Sequence, residues 1–151
     1  MSDPDHDDDI RAIEALIARQ FASVNWAPDH GADWEVFAAD FLEDAPLYPA
    51  ARPAGRQSVA AFIERMDDLR QGGLGRFDET LLGTEIRVFG DVALATAGCE
   101  IVENGTDVSR GVEMLLLIKD GGAWRIAAQA WDGETEAVPL PSDLAGGKPG
   151  R

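Results

Sequence analysis

The stretch from residue 90 to residue 131 constrains the fold of this chain most. It reads as three strands joined by two turns, Glu103-Asn104-Gly105 and Asp120-Gly121-Gly122, with another turn signal, Phe89-Gly90-Asp91, in front of them. Asn-Gly and Gly-Gly pairs between β-rich runs supply the backbone conformations that tight hairpins need. The spacing predicts an antiparallel meander, and strand is expected throughout residues 77–131.

Residues 112–118 set the surroundings of that sheet. Side chains alternate across a strand. Val112, Met114, Leu116 and Ile118 therefore share one face, and Glu113, Leu115 and Leu117 share the other. An antiparallel sheet with one wet face shows a polar row, yet both rows here are mostly apolar. Helices are expected to cover one face. A second copy of the chain, related by a two-fold axis, is expected to cover the other. Alanine and glycine recur over residues 93–98 and 127–130. Such small side chains permit strong curvature with room on the concave side, or close packing of helices.

The helices come first in the chain. Ile10, Ile13, Leu16, Ile17, Phe21 and Val24 recur at three- and four-residue spacing, one apolar stripe on a long amphipathic helix. Preceding aspartates suit its positive end, and Ala27-Pro28 places its stop near Trp26. A shorter helix fits residues 32–41, with Trp34, Phe37 and Phe41 on one side. Residues 42–49 read as extended. After Gly55-Arg56-Gln57-Ser58 a third helix places Val59, Phe62, Ile63, Met66 and Leu69 at helical spacing, and Gly72-Gly73 ends it. Helices followed by antiparallel strands define an α+β domain. Residues 1–8 are expected as an acidic disordered lead-in, residues 9–135 as one domain, and residues 136–151 as a tail.

Charge excludes some function classes. Acids outnumber bases 28 to 13, a formal charge of −15, which repels nucleic acid and anionic membranes. No apolar run approaches the roughly 20 residues of a membrane helix, and the acidic N-terminus resembles no leader. A cytoplasmic protein is expected. Cys99 is the single cysteine, read as a buried small hydrophobe. No cofactor is expected: Gly72-Gly73-Leu74-Gly75 lacks the lysine of a phosphate-binding loop. No metal site is expected either, because the acidic run over residues 5–9 lacks a rigid frame.

Several short motifs carry a family resemblance. They are Asp33-Trp34 before a helix, the extended Ala45-Pro46-Leu47-Tyr48, and Gly55-Arg56 leading into the third helix. Gly90-Asp91-Val92-Ala93 opens a strand, and Lys119-Asp120-Gly121-Gly122-Ala123-Trp124-Arg125-Ile126 closes the meander. In order and spacing the chain resembles the nuclear-transport-factor-2-like superfamily, in particular its small bacterial polyketide-cyclase-like branch, over residues 10–132. The resemblance implies three helices held in the concavity of a strongly curved, mainly antiparallel sheet, an open cone with an internal pocket, often dimeric through the sheet. It implies no single activity, because that fold hosts isomerases, dehydratases, cyclases and proteins without catalysis.

Within that frame, Glu113 is the weak candidate for a catalytic base or acceptor, since a charge inside an apolar strand needs a partner. The competing reading pairs it with Arg87 or Arg110 at a sheet or dimer surface. Trp26, Trp34, Tyr48, Met66, Gln129 and Trp131 are the candidate lining of an apolar cavity for a small apolar ligand. The functions left open are an acid–base enzyme of isomerase, cyclase or dehydratase type, a ligand-binding protein without catalysis, and a dimeric accessory or assembly domain.

Overall fold

The computed structural model describes residues 4–146. Residues 1–3 of the expected lead-in and residues 147–151 of the expected tail lie outside the described residues.

The first helix, α1 (Pro4–Ser23), starts earlier than the apolar stripe predicts. Proline at a first helical turn forfeits no hydrogen bond, and Asp5 and Asp7 sit in the first turn, where the helix dipole favours negative charge. Asp9 is tied down as well. It accepts hydrogen bonds from Lys119 Nζ and Trp124 Nε1, both at 3.0 Å. The described part of the acidic run is therefore helix, not disordered lead-in. Helix α1 ends at Ser23, short of Trp26.

Helix α2 (Trp34–Ala39) is capped by Asp33, whose carboxylate accepts from the Val36 amide at 3.2 Å. Polar anchors hold it to α1. Gln20 Nε2 donates to the Phe37 carbonyl at 2.8 Å, and Arg19 donates to both carboxylate oxygens of the buried Asp40 at 3.0 and 3.2 Å. A two-residue strand, β1 (Leu47–Tyr48), precedes α3 (Val59–Gln71). Ser58 caps α3 by accepting from the Ala61 amide, and the helix stops at Gly72 ahead of Gly73 at φ 117°.

Four long strands follow: β2 (Phe77–Phe89), β3 (Val92–Glu103), β4 (Asp107–Asp120) and β5 (Ala123–Gly133). Gly90, Asn104, Gly105, Gly121 and Gly122 take positive φ at the three turns, as the hairpin motifs require. The sheet order is β1-β5-β4-β3-β2, antiparallel except for the parallel β1–β5 pair. The register shifts between Leu81 and Gly83 and between Leu116 and Leu117. Such bulges bend strands and raise their twist, which curls this open sheet around the helices.

The core lies on the concave face. Ala93, Ala95, Ala97 and Cys99 form a buried row of small side chains on β3. Leu115, Leu117, Trp124 and Ile126 stand beside them, and Ile13, Leu16, Ile17 and Phe21 of α1 press down from above. Strand alternation puts Val92, Leu94, Met114 and Leu116 on the convex face, and all four are exposed there.

The tail also reaches the convex face. A 3-10 turn at Ser142–Leu144 lies against β2 and β3, and Leu144 is buried. Gly83 and Gly98 make room for it. A Cβ on Gly98 would overlap the Leu144 carbonyl and stand 2.9 Å from the Leu144 Cβ; one on Gly83 would stand 2.6 Å from the Asp143 carbonyl oxygen. Among the described residues no helix is long and apolar enough to cross a membrane.

Candidate functional site

A cavity of about 190 Å³ opens between the helices and the concave sheet. Its apolar walls come from Phe21 of α1, Phe37 of α2, Phe62 and Met66 of α3, and Phe77 and Trp131 of the sheet. The rings brace one another. Phe62 stacks on Phe37 with centroids 5.4 Å apart and meets Trp131 edge-on at 5.6 Å. Gln20, Glu79, Glu103, Glu113 and Gln129 are polar lining groups, and the exposed Arg65 contributes to the rim.

The chemistry is concentrated on the sheet. Glu113 lies opposite Ala97 across β3–β4, and Glu79 lies opposite Ile101 across β2–β3. The two glutamates therefore flank Cys99 diagonally, and their carboxyl groups hydrogen-bond to each other above it. Gln129 of β5 donates Nε2 to Glu113 Oε1.

Burial pushes the Glu113 carboxyl well above the ordinary carboxylate range, and the neighbouring Glu79 charge and hydrogen bond push it further. Glu79 is also raised by burial, but a hydrogen bond from Glu113 opposes the shift. Glu113 is accordingly the proton holder and Glu79 the acceptor, two carboxyl groups sharing one proton because two charges so close cannot both ionise in an apolar setting. The Cys99 thiol is pushed up by burial and by both glutamates, and it donates to the Gly111 carbonyl at 3.6 Å. It stays a protonated, inert thiol.

Among the described residues Glu79, Cys99 and Glu113 each offer an atom that could ligate a metal ion, all within 4.8 Å of one another. The sequence gives no hint of this group, since its members lie on three strands. Metal ligands must be deprotonated. An ion there would have to displace both the shared carboxyl proton and the thiol proton.

The structure sorts the sequence candidates. Glu113, Met66, Gln129 and Trp131 are brought together on the cavity. Trp26 is placed elsewhere: it is buried, stacks on Phe77 at 4.9 Å and donates Nε1 to the Leu74 carbonyl at 2.7 Å. It locks the entry of β2 to the chain after α3. Trp34 stands behind the cavity wall, edge-on to Phe37 at 5.5 Å. Tyr48 is on the convex side, in a shallow groove with Leu94, Met114 and Leu116. The ion pairs considered for Glu113 do not form. Arg110 donates Nε to Glu100 at 2.9 Å, and alternation places both it and Arg87 on the convex face, away from Glu113. Sequence reasoning missed Glu79, although it stands two residues after the buried Phe77 and so shares its inward face.

Helices cradled by a curved, unclosed five-stranded sheet, with a cavity between them, make up the nuclear-transport-factor-2-like fold, also called cystatin-like. This chain has that fold, and solved structures agree. A hexachlorocyclohexane dehydrochlorinase, LinA-type3, from Novosphingobium barchaimii is similar with a TM-score of 0.71 at 12% identity, covering 93% of this chain and 99% of that one. A protein of unknown function from Mycobacterium tuberculosis is similar with a TM-score of 0.69 at 22% identity, covering 95% and 87%. An NTF2-like protein of unknown function from Pseudomonas putida is similar with a TM-score of 0.65 at 18% identity, covering 87% and 92%. No family model and no curated protein matches the sequence.

Proposed function

We propose that this protein binds a small, largely apolar compound in the concave cavity and exchanges a proton with it through the Glu79–Glu113 pair. The observation that carries the reading is the pair itself, two carboxyl groups with oxygens within 4.8 Å of each other among aromatic walls, where burial raises the proton affinity of both. Glu113 is poised to donate its proton to a ligand oxygen or nitrogen. Glu79, with a raised affinity for protons, is poised to accept one. Catalytic acids and bases work best with proton affinities near the operating pH, and apolar burial is how carboxyl groups reach that range. A fold neighbour described as a dehydrochlorinase lends the fold a precedent for enzyme chemistry and no residue roles. At about 190 Å³ the cavity falls below the roughly 300–1,000 Å³ of sites for drug-sized ligands. A compound of about one ring is the matching size.

The test uses Trp131 as reporter. Ring-sized compounds are titrated while tryptophan fluorescence is followed in the wild type and in Trp131→Phe, and turnover is assayed with any that bind. Binding that Glu113→Gln weakens, or turnover that it abolishes, in a folded protein supports the reading. Normal binding and turnover in Glu113→Gln would sink the acid–base part and leave a ligand-binding protein.

A second copy of the chain is the proposed partner of the convex face, in keeping with a cytoplasmic protein that has no use for nucleic acid or membrane. Leu94 and Met114 are each 60% exposed and Leu116 is 41% exposed on one continuous groove with Tyr48. A two-fold dimer through this patch needs about 1,000 Å² or more of buried surface to be stable. The docked tail confines it to the β3–β5 side.

A further inference from the structure

The concave cavity is rich in hydrogen-bond acceptors and poor in donors. Among the described residues Glu79, Glu103 and Glu113 line it against a single cation, the rim residue Arg65. Even with one proton shared between Glu79 and Glu113, the lining holds a surplus of negative charge. A second observation is independent of these acids. Gln20 and Gln129 line the same cavity, are 7% and 8% exposed, and each leaves its Oε1 without a donor. Buried acceptors without donors are costly and rare in a finished structure. The amide of Gln20 is already committed to Phe37 and Asp40, and that of Gln129 donates to Glu113.

We propose that the compound bound in this cavity is an organic amine, held as its ammonium ion beside Glu79 and Glu113 with its ring among Phe37, Phe62 and Trp131. The proposal rests on the cavity reading above and names its ligand class. An ammonium supplies several N–H donors to a site that lacks them. It also supplies the positive charge that lets both carboxyls ionise in an apolar setting, and aromatic faces attract such a cation. When the ligand arrives as an ammonium, it keeps its protons and the shared Glu113 proton leaves to solvent. When it arrives as a neutral amine, the Glu113 proton transfers to the ligand nitrogen. Either route ends with an ammonium and two carboxylates. The formal charge of −15 raises the local concentration of cations in the same sense. A divalent metal ion is the less favoured occupant, because three protein groups would have to be deprotonated or freed, with a high-affinity thiol proton among them.

The test is calorimetric titration of the full chain at neutral pH with benzylamine, benzyl alcohol and benzoate, and separately with Zn²⁺. The three organic probes share a ring and differ in the head group. Benzylamine is expected to bind about tenfold or more tightly than benzyl alcohol, the margin of a charge-assisted over a neutral hydrogen bond. Benzoate is expected to bind weakest. Repeating the titration in buffers of different ionisation enthalpy should show up to about one proton released per benzylamine bound. Glu113→Gln and Glu79→Gln, which mimic the protonated carboxyl in shape, should bring the amine-to-alcohol ratio close to one, and Trp131→Ala should weaken both probes alike. Benzyl alcohol binding as tightly as benzylamine overturns the ligand class and leaves the cavity reading standing. Zn²⁺ binding that Glu113→Gln abolishes, with no amine preference, overturns it in favour of a metal. No binding by any of these probes, together with no ring-sized ligand in the fluorescence test, removes the cavity reading too.

Discussion

Replacing Gly98 by alanine tests how the tail is held. Gly98 does not take the positive φ that alanine resists, and the atoms nearest its added Cβ all belong to Leu144. The collision with the Leu144 carbonyl involves backbone, so it cannot be relieved by a side-chain rotation. The cost still has a ceiling, because the tail can lift off. That ceiling is the docking free energy of the tail. Leu144 is 2% exposed, and burying a leucine stabilises by roughly 1.5–3 kcal/mol. Ordering the tail offsets part of this, which leaves about 1–2 kcal/mol of docking, and the strand-backbone gain of roughly 0.5–1 kcal/mol that alanine brings lowers the net cost of Gly98→Ala in the full chain to about 1 kcal/mol. In a chain ending at Leu140 the collision is gone. Only the backbone term remains, and there alanine in a strand interior is better than glycine by roughly 0.5–1 kcal/mol. The same substitution should therefore change sign between the two backgrounds. Urea unfolding followed by tryptophan fluorescence reads all four proteins, and the difference between the two effects is the coupling energy. An equal cost in both backgrounds would mean that Gly98 is small for some reason other than the tail.

Other predictions follow from the same contacts. Glu113 binds its proton more tightly in the folded than in the unfolded chain, so its contribution is fully present below the ordinary carboxylate value and is lost as pH rises through the raised one. Wild-type stability should fall with rising pH above about 4.5. Glu113→Gln should flatten that fall, as read by thermal melts across pH, with Glu79, Cys99, Gln129, Glu103 and Arg65 the groups facing the site. Asp9 has the opposite sign: the hydrogen bond from Lys119 holds its carboxyl below the usual range. Its contribution is present above that range and lost as pH falls through the lowered value, so Asp9→Asn should raise amide exchange in the first turns of α1 at neutral pH. Met114→Glu should give a folded monomer by sedimentation, because it places a charge in the centre of the exposed convex groove. Trp26→Phe should cost about 1 kcal/mol or somewhat more, from the lost bond to the Leu74 carbonyl and the lost ring area, and should leave ligand binding unchanged.

The fold was legible where local chemistry and tertiary structure agree. Ser58, Gly72 and the glycine turns at 90, 105 and 121 act within a few residues of their own position, so sequence alone locates them. Glu113 was legible because a charge in the most apolar strand stands out. Its partner was not, because pairing depends on which residues meet across β3, and that depends on register and curvature. The tryptophans were ambiguous for another reason. A large apolar ring suits a core and a cavity wall equally well, and only position separates Trp26 from Trp131. The tail left a signal that went unread. Gly83 and Gly98 inside strands mark a close backbone approach, and Leu144 is the apolar residue that answers them.

The Glu79–Glu113 contact has a mechanical side. The two residues belong to β2 and β4, which are not neighbours, since β3 runs between them. In a flat sheet those strands would lie about 9.5 Å apart. Their carboxyl groups meet diagonally across β3, where the sheet arches and the small side chains of Ala97 and Cys99 leave room between them. The shared proton is thus a tie across the arch. Removing it leaves two like charges on the inner side of the curve, pressing the strands apart.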